Sequence, residues 1–231
     1  MKLLVMDTSC KTAMAAVCED GSVLASIQIQ DQRTHSVKLL PAVEYILAAA
    51  GVSPSELGLV AVTNGPGSYT GLRIGVTTAK AFAYSLEIPL IGLNTLEALA
   101  AACAVGEEQL VCPMIDARNA RVYAALYRGS AELLPCRALS CETLCETLRT
   151  EYAGKRILFT GDGTAANGAL LTDLLGEMYR PLPSELSAGN PAAIALLARE
   201  KYAAAEAAGV IGEYTAERLK VEYYKNYTDS I

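Results

Sequence analysis

Short apolar runs that end at polar turns alternate along the chain with stretches in which apolar residues recur at helical spacing. The run Leu3–Asp7 is followed by a polar turn, by Ala13–Val17 and by a Gly-Ser turn, which predicts two strands and the start of a third. A helix is predicted to start near Thr34 or Ser36, because the apolar positions that follow keep helical spacing. These positions are Val37, Leu40, Val43 and Leu47.

The strand pattern occurs a second time. Val111–Asp116 repeats the first run, Val122–Leu126 repeats the second, and another Gly-Ser pair repeats the turn. An offset of about 110 residues exceeds the period of a solenoid repeat, so it predicts two similar lobes. We place these lobes at residues 1–104 and 105–231.

Further helices and strands are predicted to complete each lobe. In the first lobe we expect a helix over about Gly71–Leu86 and a returning strand at Ile88–Leu93. In the second lobe, Ser140 should cap a helix, Arg156–Thr160 should form a strand, and Asn190-Pro191 should start a long helix. Duplicated strands with crossover helices predict an α/β protein with a cleft between its lobes.

The glycine-rich segment Asn64–Gly75 follows the apolar run Leu57–Thr63 and leads into a predicted helix. This order is typical of nucleotide sites, but a phosphate loop needs a lysine and then Ser or Thr after its last glycine. Leu72 and Arg73 stand there instead. The dinucleotide fingerprint fails as well, because the glycines are too widely spaced and the next acid, Glu87, comes too early. We therefore expect these glycines to serve packing at a tight corner.

Composition narrows the class of function. The chain has 231 residues, is 52% hydrophobic and carries a formal net charge of −6, which argues against a protein that grips nucleic acid by itself. Its apolar runs are too short for a membrane span, and an early acid at position 7 argues against a signal peptide. We expect a cytoplasmic protein.

The seven cysteines are an odd number without a secretory signal, which predicts reduced thiols. Cys141 and Cys145 lie four residues apart on a predicted helix, at a spacing that two ligands of one metal can have. The chain has no CxxC motif and a single histidine, so we interpret both thiols as core residues.

Three polar turns are candidates for chemistry. Asp7, Thr8 and Ser9 follow the first strand, and Asp116 has the equivalent place in the second copy. A third turn, Gly161-Asp162-Gly163, would let backbone approach a nucleotide. These groups suit weak contacts to magnesium or nucleotide, and they suit equally well the ordinary satisfaction of strand ends and turns.

The repeat and the glycine segment together resemble a known family. The duplicated strands are similar to the actin, Hsp70 and sugar-kinase (ASKHA) ATPase superfamily. The segment Asn64–Gly75 and His35-Ser36 leading into Leu39-Leu40-Pro41 resemble TsaB, also called YeaZ. That resemblance implies a non-catalytic, scaffolding subunit of the bacterial complex that makes threonylcarbamoyladenosine (t6A) in tRNA. The tail departs from the family, with Val221–Lys225 where a Pro-x-Tyr-Leu-Arg ending is usual.

The resemblance also implies what is missing. TsaD, the catalytic relative, carries an H-x-x-x-H pair whose spacing places two metal ligands on one helix face. Thr95 and Leu99 stand at the matching positions here, so we expect no metal site and no enzyme activity of this chain alone. His35 is interpreted as a capping or surface histidine, since no nucleophile accompanies it.

The implied partners are TsaD in a heterodimer, the ATPase TsaE, and tRNA only through the complex, with a homodimer when the chain is alone. We expect the partner to contact the first-lobe helices, where small residues four apart allow close approach. The expected interface comprises Val37, Leu40, Val43, Leu47, Gly71, Gly75, Val76, Ala79 and Ala83. An alternative from another class stays open: a small ASKHA ATPase or kinase with its own magnesium-ATP site at Asp7, Asp116 and Asp162.

Overall fold

The structure is a computed structural model and describes residues 1–30, 35–103, 106, 108–119, 121–183 and 189–224. The strands are β1 (Lys2–Asp7), β2 (Ala13–Glu19), β3 (Ser22–Ile29), β4 (Leu57–Gly65), β5 (Leu90–Asn94), β6 (Leu110–Arg118), β7 (Arg121–Arg128), β8 (Ala131–Ser140), β9 (Ile157–Thr160) and β10 (Tyr179–Pro181). The α-helices are α1 (His35–Ala50), α2 (Tyr69–Leu86), α3 (Thr95–Ala101), α4 (Cys141–Glu151), α5 (Asp162–Leu175) and α6 (Pro191–Ala207). Single 3-10 turns occur at Pro54–Glu56, Gly176–Met178 and Ile211–Glu213.

The chain folds as two units, each with a five-stranded sheet. The first unit comprises Met1–Ala98 and Gly189–Glu222, and the second comprises the described residues of Leu99–Ala188 with Tyr223 and Tyr224. The strand orders are β3-β2-β1-β4-β5 and β10-β9-β6-β7-β8. In each sheet the three strands that come first in the sequence pair antiparallel with one another. The other two strands run parallel to the central strand, which is β1 in the first sheet and β6 in the second. The predicted duplication and the α/β class are therefore confirmed.

Side chains of the first sheet alternate between two apolar layers, as the period of a strand requires. Leu4 and Met6 of β1 join the cluster that α1 and α2 cover. Leu3 and Val5 join a second cluster on the opposite face, which is completed by α6. This sheet is thus covered by helices on both faces.

The position of α6 differs from the prediction, which assigned residues 105–231 to a second lobe. Ile194, Ala195 and Ala198 of α6 are fully buried against the first sheet. The small alanine side chains let the helix lie close to the strands, and burial of this apolar face explains why the helix returns there. The first unit is consequently built from two separate stretches of sequence.

In the second unit, α4 and α5 cover one face of the sheet. Leu144, Leu148 and Leu171 pack with Cys112 and Phe159 in a single apolar cluster. Residues 161–163 were predicted to form a turn, and this is wrong in part. Gly161 precedes α5, and Asp162 and Gly163 belong to the first turn of that helix.

Polar side chains cap four of the described helices, and Asn94 caps α3 by accepting a hydrogen bond from Leu96 N at 2.8 Å. Ser140 accepts a hydrogen bond from Thr143 N at 3.1 Å, and Asn190 accepts one from Ala192 N at 2.9 Å, which confirms both predicted caps. Ser68 caps α2 in the same way. Helix α1 begins at His35, so Ser36 lies inside it, while Thr34 lies outside the described residues.

The segment after α6 is hydrogen-bonded to the end of β4. Asn64 donates through Nδ2 to the carbonyl of Lys220 at 3.0 Å and accepts from Glu222 N at 2.8 Å. Leu219 and Val221 pack against the cluster under α1 and α2. Part of the divergent tail is therefore structural, whereas Lys225 lies outside the described residues. Among the described helices, none is long and apolar enough to cross a membrane.

Candidate functional site

The glycine corner between β4 and α2 is filled by the protein itself. A Cβ at Gly71 would overlap the backbone carbonyl of Thr8, and a Cβ at Gly75 would overlap the Thr8 hydroxyl. The Thr8 hydroxyl donates to the carbonyl of Gly71 at 2.7 Å, and Ser68 N donates to the carbonyl of Ser9 at 2.7 Å. The glycines thus let α2 lie against the turn after β1. This agrees with the expectation that they serve packing, which rested on the absence of a phosphate-loop lysine.

Asp7 stabilises the turn after β1 by accepting hydrogen bonds inside the protein. Its Oδ1 accepts hydrogen bonds from Ser9 N at 2.9 Å, from Ser9 Oγ at 2.6 Å and from Thr63 Oγ1 at 2.6 Å. Thr8 and Ser9 are fully buried, and Asp7 is 5% exposed. Both hydroxyls that the sequence offers for nucleotide contacts donate inside the protein, which favours the interpretation of this turn as structural.

The second unit brings Asp116 and Asp162 together. Asp116 N donates to Asp162 Oδ1 at 3.1 Å, and Asp116 Oδ1 accepts from Arg118 N at 2.8 Å. Asp116 is exposed at the end of β6. A Cβ at Gly161 would overlap the carbonyl of Met114, so this glycine, with a φ of 91°, allows the close approach of α5 to β6.

Thr95 and Leu99, at the positions that the resemblance assigns to metal ligands, lie on α3 and are buried. A hydroxyl and an isobutyl group do not replace two imidazoles as zinc or iron ligands. Within the described ranges, no three His, Cys, Asp or Glu residues are grouped so that they could hold a metal ion.

The thiols of α4 are core residues, as interpreted from the sequence. Cys141 and Cys145 are each 1% exposed and belong to the apolar cluster of the second unit. A hydrogen bond between them lowers the pKa of Cys141 and raises that of Cys145. His35, interpreted as a capping or surface residue, begins α1 with its side chain buried, so the surface alternative is wrong.

Most of the expected partner interface is buried in the first unit. The buried members are Val43, Leu47, Gly71, Gly75, Val76, Ala79 and Ala83. Val43 and Leu47 of α1 and Val76, Ala79 and Ala83 of α2 belong to the core cluster, while Gly71 and Gly75 lie against Thr8. In α1 the inward stripe is Leu39, Val43 and Ile46, whereas the predicted stripe combined residues from two faces. Val37 and Leu40 remain exposed, at 73% and 48%.

Large apolar side chains nevertheless lie on the outward faces of α1 and α2. Tyr45 is 67% exposed and Tyr84 is 70% exposed, and the guanidinium of Arg73 lies over the ring of Tyr69 at 4.4 Å. We call Val37, Leu40, Tyr45, Tyr69 and Tyr84 the two-helix surface. The three tyrosines were not part of the predicted interface, although tyrosine is enriched in protein interfaces.

Comparison with known proteins first defines the class. A ROK hexokinase from Thermus thermophilus superposes with a TM-score of 0.51 at 16% identity, covering 88% of this chain and 100% of that chain. At this identity the likeness shows the fold alone, and it is the ASKHA fold of two similar α/β units. A family model described as TsaD, tRNA N6-adenosine threonylcarbamoyltransferase, matches residues 22–138.

More similar proteins identify the family. The tRNA threonylcarbamoyladenosine biosynthesis protein TsaB of Bacillus subtilis is 34% identical over 228 residues, which cover 93% of this chain and 93% of that protein. A solved structure from Pseudomonas aeruginosa, described as similar to the peptidase YeaZ, has a TM-score of 0.79 at 25% identity and covers 97% of this chain and 99% of its own. The chain belongs to the TsaB (YeaZ) family.

Proposed function

We propose that this chain takes part in the biosynthesis of t6A in tRNA as a non-catalytic, cytoplasmic subunit that binds and supports the transferase TsaD. The support for the pathway is the similarity to the TsaB protein of Bacillus subtilis along nearly the whole chain. The observation that carries the role as a binding subunit is the two-helix surface.

The two-helix surface has the features of a docking site. Its five large apolar side chains are between 48% and 73% exposed, while the inward faces of the same helices are fully used by the core. Exposed tyrosine, leucine and valine on one side of a helix pair form the kind of apolar patch that marks a protein interface. A helical partner would bury them by ridges-into-grooves packing.

The non-catalytic part of the proposal has separate support. The resemblance implies that the transferase relatives bind a metal through two histidines, and this chain has Thr95 and Leu99 at the matching positions. The Asp7 turn uses its hydroxyls for internal hydrogen bonds. The chain would therefore contribute position and stability to the complex, and the chemistry would belong to TsaD.

The remaining partners follow from this role. TsaE would join the pair as the ATPase, and tRNA would be held by other subunits, because a net charge of −6 disfavours binding to phosphates. In the absence of TsaD, the same apolar surface would favour a homodimer.

The test is complex formation with the TsaD transferase of the same organism, measured by size-exclusion chromatography with light scattering. Leu40→Glu places a charge in the two-helix surface and should abolish the complex. Leu196→Glu is the matched control, because Leu196 is 52% exposed on α6, on the other face of the first sheet. Failure of the unaltered chain to bind TsaD would contradict the proposal.

A second measurement tests the non-catalytic role. Saturable magnesium-ATP hydrolysis by the purified chain alone, lost in Asp116→Asn, would overturn it and would favour an ATPase or kinase instead. Asp116 suits this test better than the buried Asp7, because it is exposed and its replacement leaves the core intact.

A further inference from the structure

A hollow of about 430 Å³ lies at the carboxyl end of α2, entirely within the first unit. One wall is the last turn of α2 with the loop that follows, and the other is the 3-10 turn at Ile211–Glu213 with the segment after it. We call it the α2-end hollow. Its volume lies in the range of sites that hold a small ligand or a side chain.

Backbone hydrogen bonds hold both walls in place. Glu87 ends α2 in the left-handed region with a φ of 54°, and Ile88 N donates to the carbonyl of Ala83 at 3.1 Å. On the other wall, the carbonyl of Tyr214 accepts from Leu90 N at 2.9 Å, which ties the segment to β5. Ala216 is anchored in the core cluster. The hollow is therefore a preformed part of the fold.

The residues that line the hollow carry only negative charge, and the positive charge of Lys80 on α2 acts on one of them, Glu217. Its ionisable acids are Glu87 and Glu217, and no lysine or arginine occurs among the described residues that line it. Hydrogen bonds from its own N–H and from Thr215 lower the pKa of Glu217, and the charge of Lys80 adds to this effect, so the carboxyl group stays ionised at neutral pH. The carboxyl end of α2 adds the negative end of its helix dipole.

Aromatic rings complete the lining. Tyr84 and Tyr214 both border the hollow, and the face of a tyrosine ring attracts cations. Tyr84 also belongs to the two-helix surface, so the hollow adjoins the proposed docking site. A protein bound to that surface would present its own side chains at the hollow.

We propose that the α2-end hollow receives an arginine or lysine side chain of the protein that docks on the two-helix surface. This inference rests on the proposed function, because it extends the same interface. The carboxylates would pair with the cationic group and the tyrosines would cover its alkyl stem.

The experiment measures the affinity for the same TsaD transferase by calorimetry. The double variant Glu87→Gln/Glu217→Gln keeps the shape of the hollow and removes its charge. We expect a weakening of roughly fivefold, the size typical of exposed ion pairs. The matched control is Glu142→Gln/Glu146→Gln, which removes the same charge from exposed positions of α4 and should leave the affinity unchanged.

A second arm uses the chain alone with a defined probe. N-acetyl-arginine methylamide should shift the amide resonance of Gly212, which lines the hollow, and the neutral citrulline analogue should not. A shift in the chain alone combined with unchanged TsaD affinity in the double variant would overturn the proposal in favour of a small organic cation as ligand.

The outcomes separate the two proposals. If the unaltered chain does not bind TsaD, the proposed function fails and the inference fails with it. If Leu40→Glu abolishes binding while the Glu87→Gln/Glu217→Gln variant binds as tightly as its control, the docking surface stands and the role of the hollow is wrong.

Discussion

The turns after β1 and β6 occupy equivalent positions in the two units, yet their aspartates have different surroundings. Asp7 is buried and accepts three hydrogen bonds through one oxygen, two from Ser9 and one from Thr63. Asp116 is exposed and accepts from the backbone of Arg118. The duplication therefore preserves the path of the backbone and the strand order, while the environment of each turn depends on the helix packed against it.

The helix next to each turn explains the difference. Gly71 and Gly75 allow α2 to lie directly on Thr8, so the first turn is sealed. Gly161 and Gly163 bring α5 equally close to the backbone of Met114 and Ile115, but this contact leaves the Asp116 carboxyl group in solvent. Close approach of a helix is thus common to both units, and burial of the acid is not.

The largest expected effect comes from adding one methyl group to a helix of each unit. Gly71→Ala places a Cβ against the carbonyl of Thr8 and should lower the free energy of unfolding by about 3 kcal/mol. Gly168→Ala in α5 meets only Tyr179 Oη at 3.7 Å, and its better helix propensity should raise stability by about 0.5–1 kcal/mol. Urea unfolding of both variants measures the two changes in the free energy of unfolding. Equal changes would show that α2 does not pack tightly against the first turn.

The next effect concerns the two aspartates. Asp7→Ala leaves the buried hydroxyls of Ser9 and Thr63 without their acceptor and should cost about 2 kcal/mol. Asp116→Ala changes an exposed side chain and should cost at most about 0.5 kcal/mol. Hydrogen exchange should locate the loosening at β1 and the start of α2. Similar costs for the two changes would contradict the difference in burial.

The smallest effect is in thiol chemistry. Burial raises the pKa of Cys18 to about 11, whereas Cys10 in the first unit and Cys136 in the second are half-buried. Because the folded state holds the Cys18 proton more tightly than the unfolded chain, the resulting stability is present below about pH 9 and is lost as the pH rises towards 11. At pH 8, a disulfide reagent should label Cys10 and Cys136 first. The steeper fall of stability above pH 9 should diminish in Cys18→Ala, and rapid labelling of Cys18 would refute its burial.

Much of the fold was predictable because it depends on local patterns. The repeated runs at Leu3–Asp7 and Val111–Asp116 are strands at the centres of their sheets, and the caps at Ser140 and Asn190 lie where the polar side chains indicated. Each of these features is determined by residues a few positions apart, so one sequence is enough to infer it.

Features that depend on distant residues were not predictable. Helix α1 has apolar side chains on two faces, so periodicity alone could not decide that Val43 faces the sheet while Val37 and Leu40 face outward. The buried face of α6 consists mostly of alanines, which also occur on its exposed side, and its place on the first sheet depends on strands far away in the sequence. The hydrogen bond from Thr63 to Asp7, which favours a structural role for this acid, joins residues 56 positions apart and is not visible in the sequence.

The return of α6 to the first sheet has a consequence for the order in which the protein is made. The ribosome synthesises β1 through β5 first, then the strands of the second unit, and only then the helix that covers Leu3, Val5 and Ile91. Until that helix leaves the exit tunnel, the nascent first sheet displays a bare apolar face. The first unit is thus translated first but finishes folding last. During that interval its exposed apolar face is a binding site for chaperones.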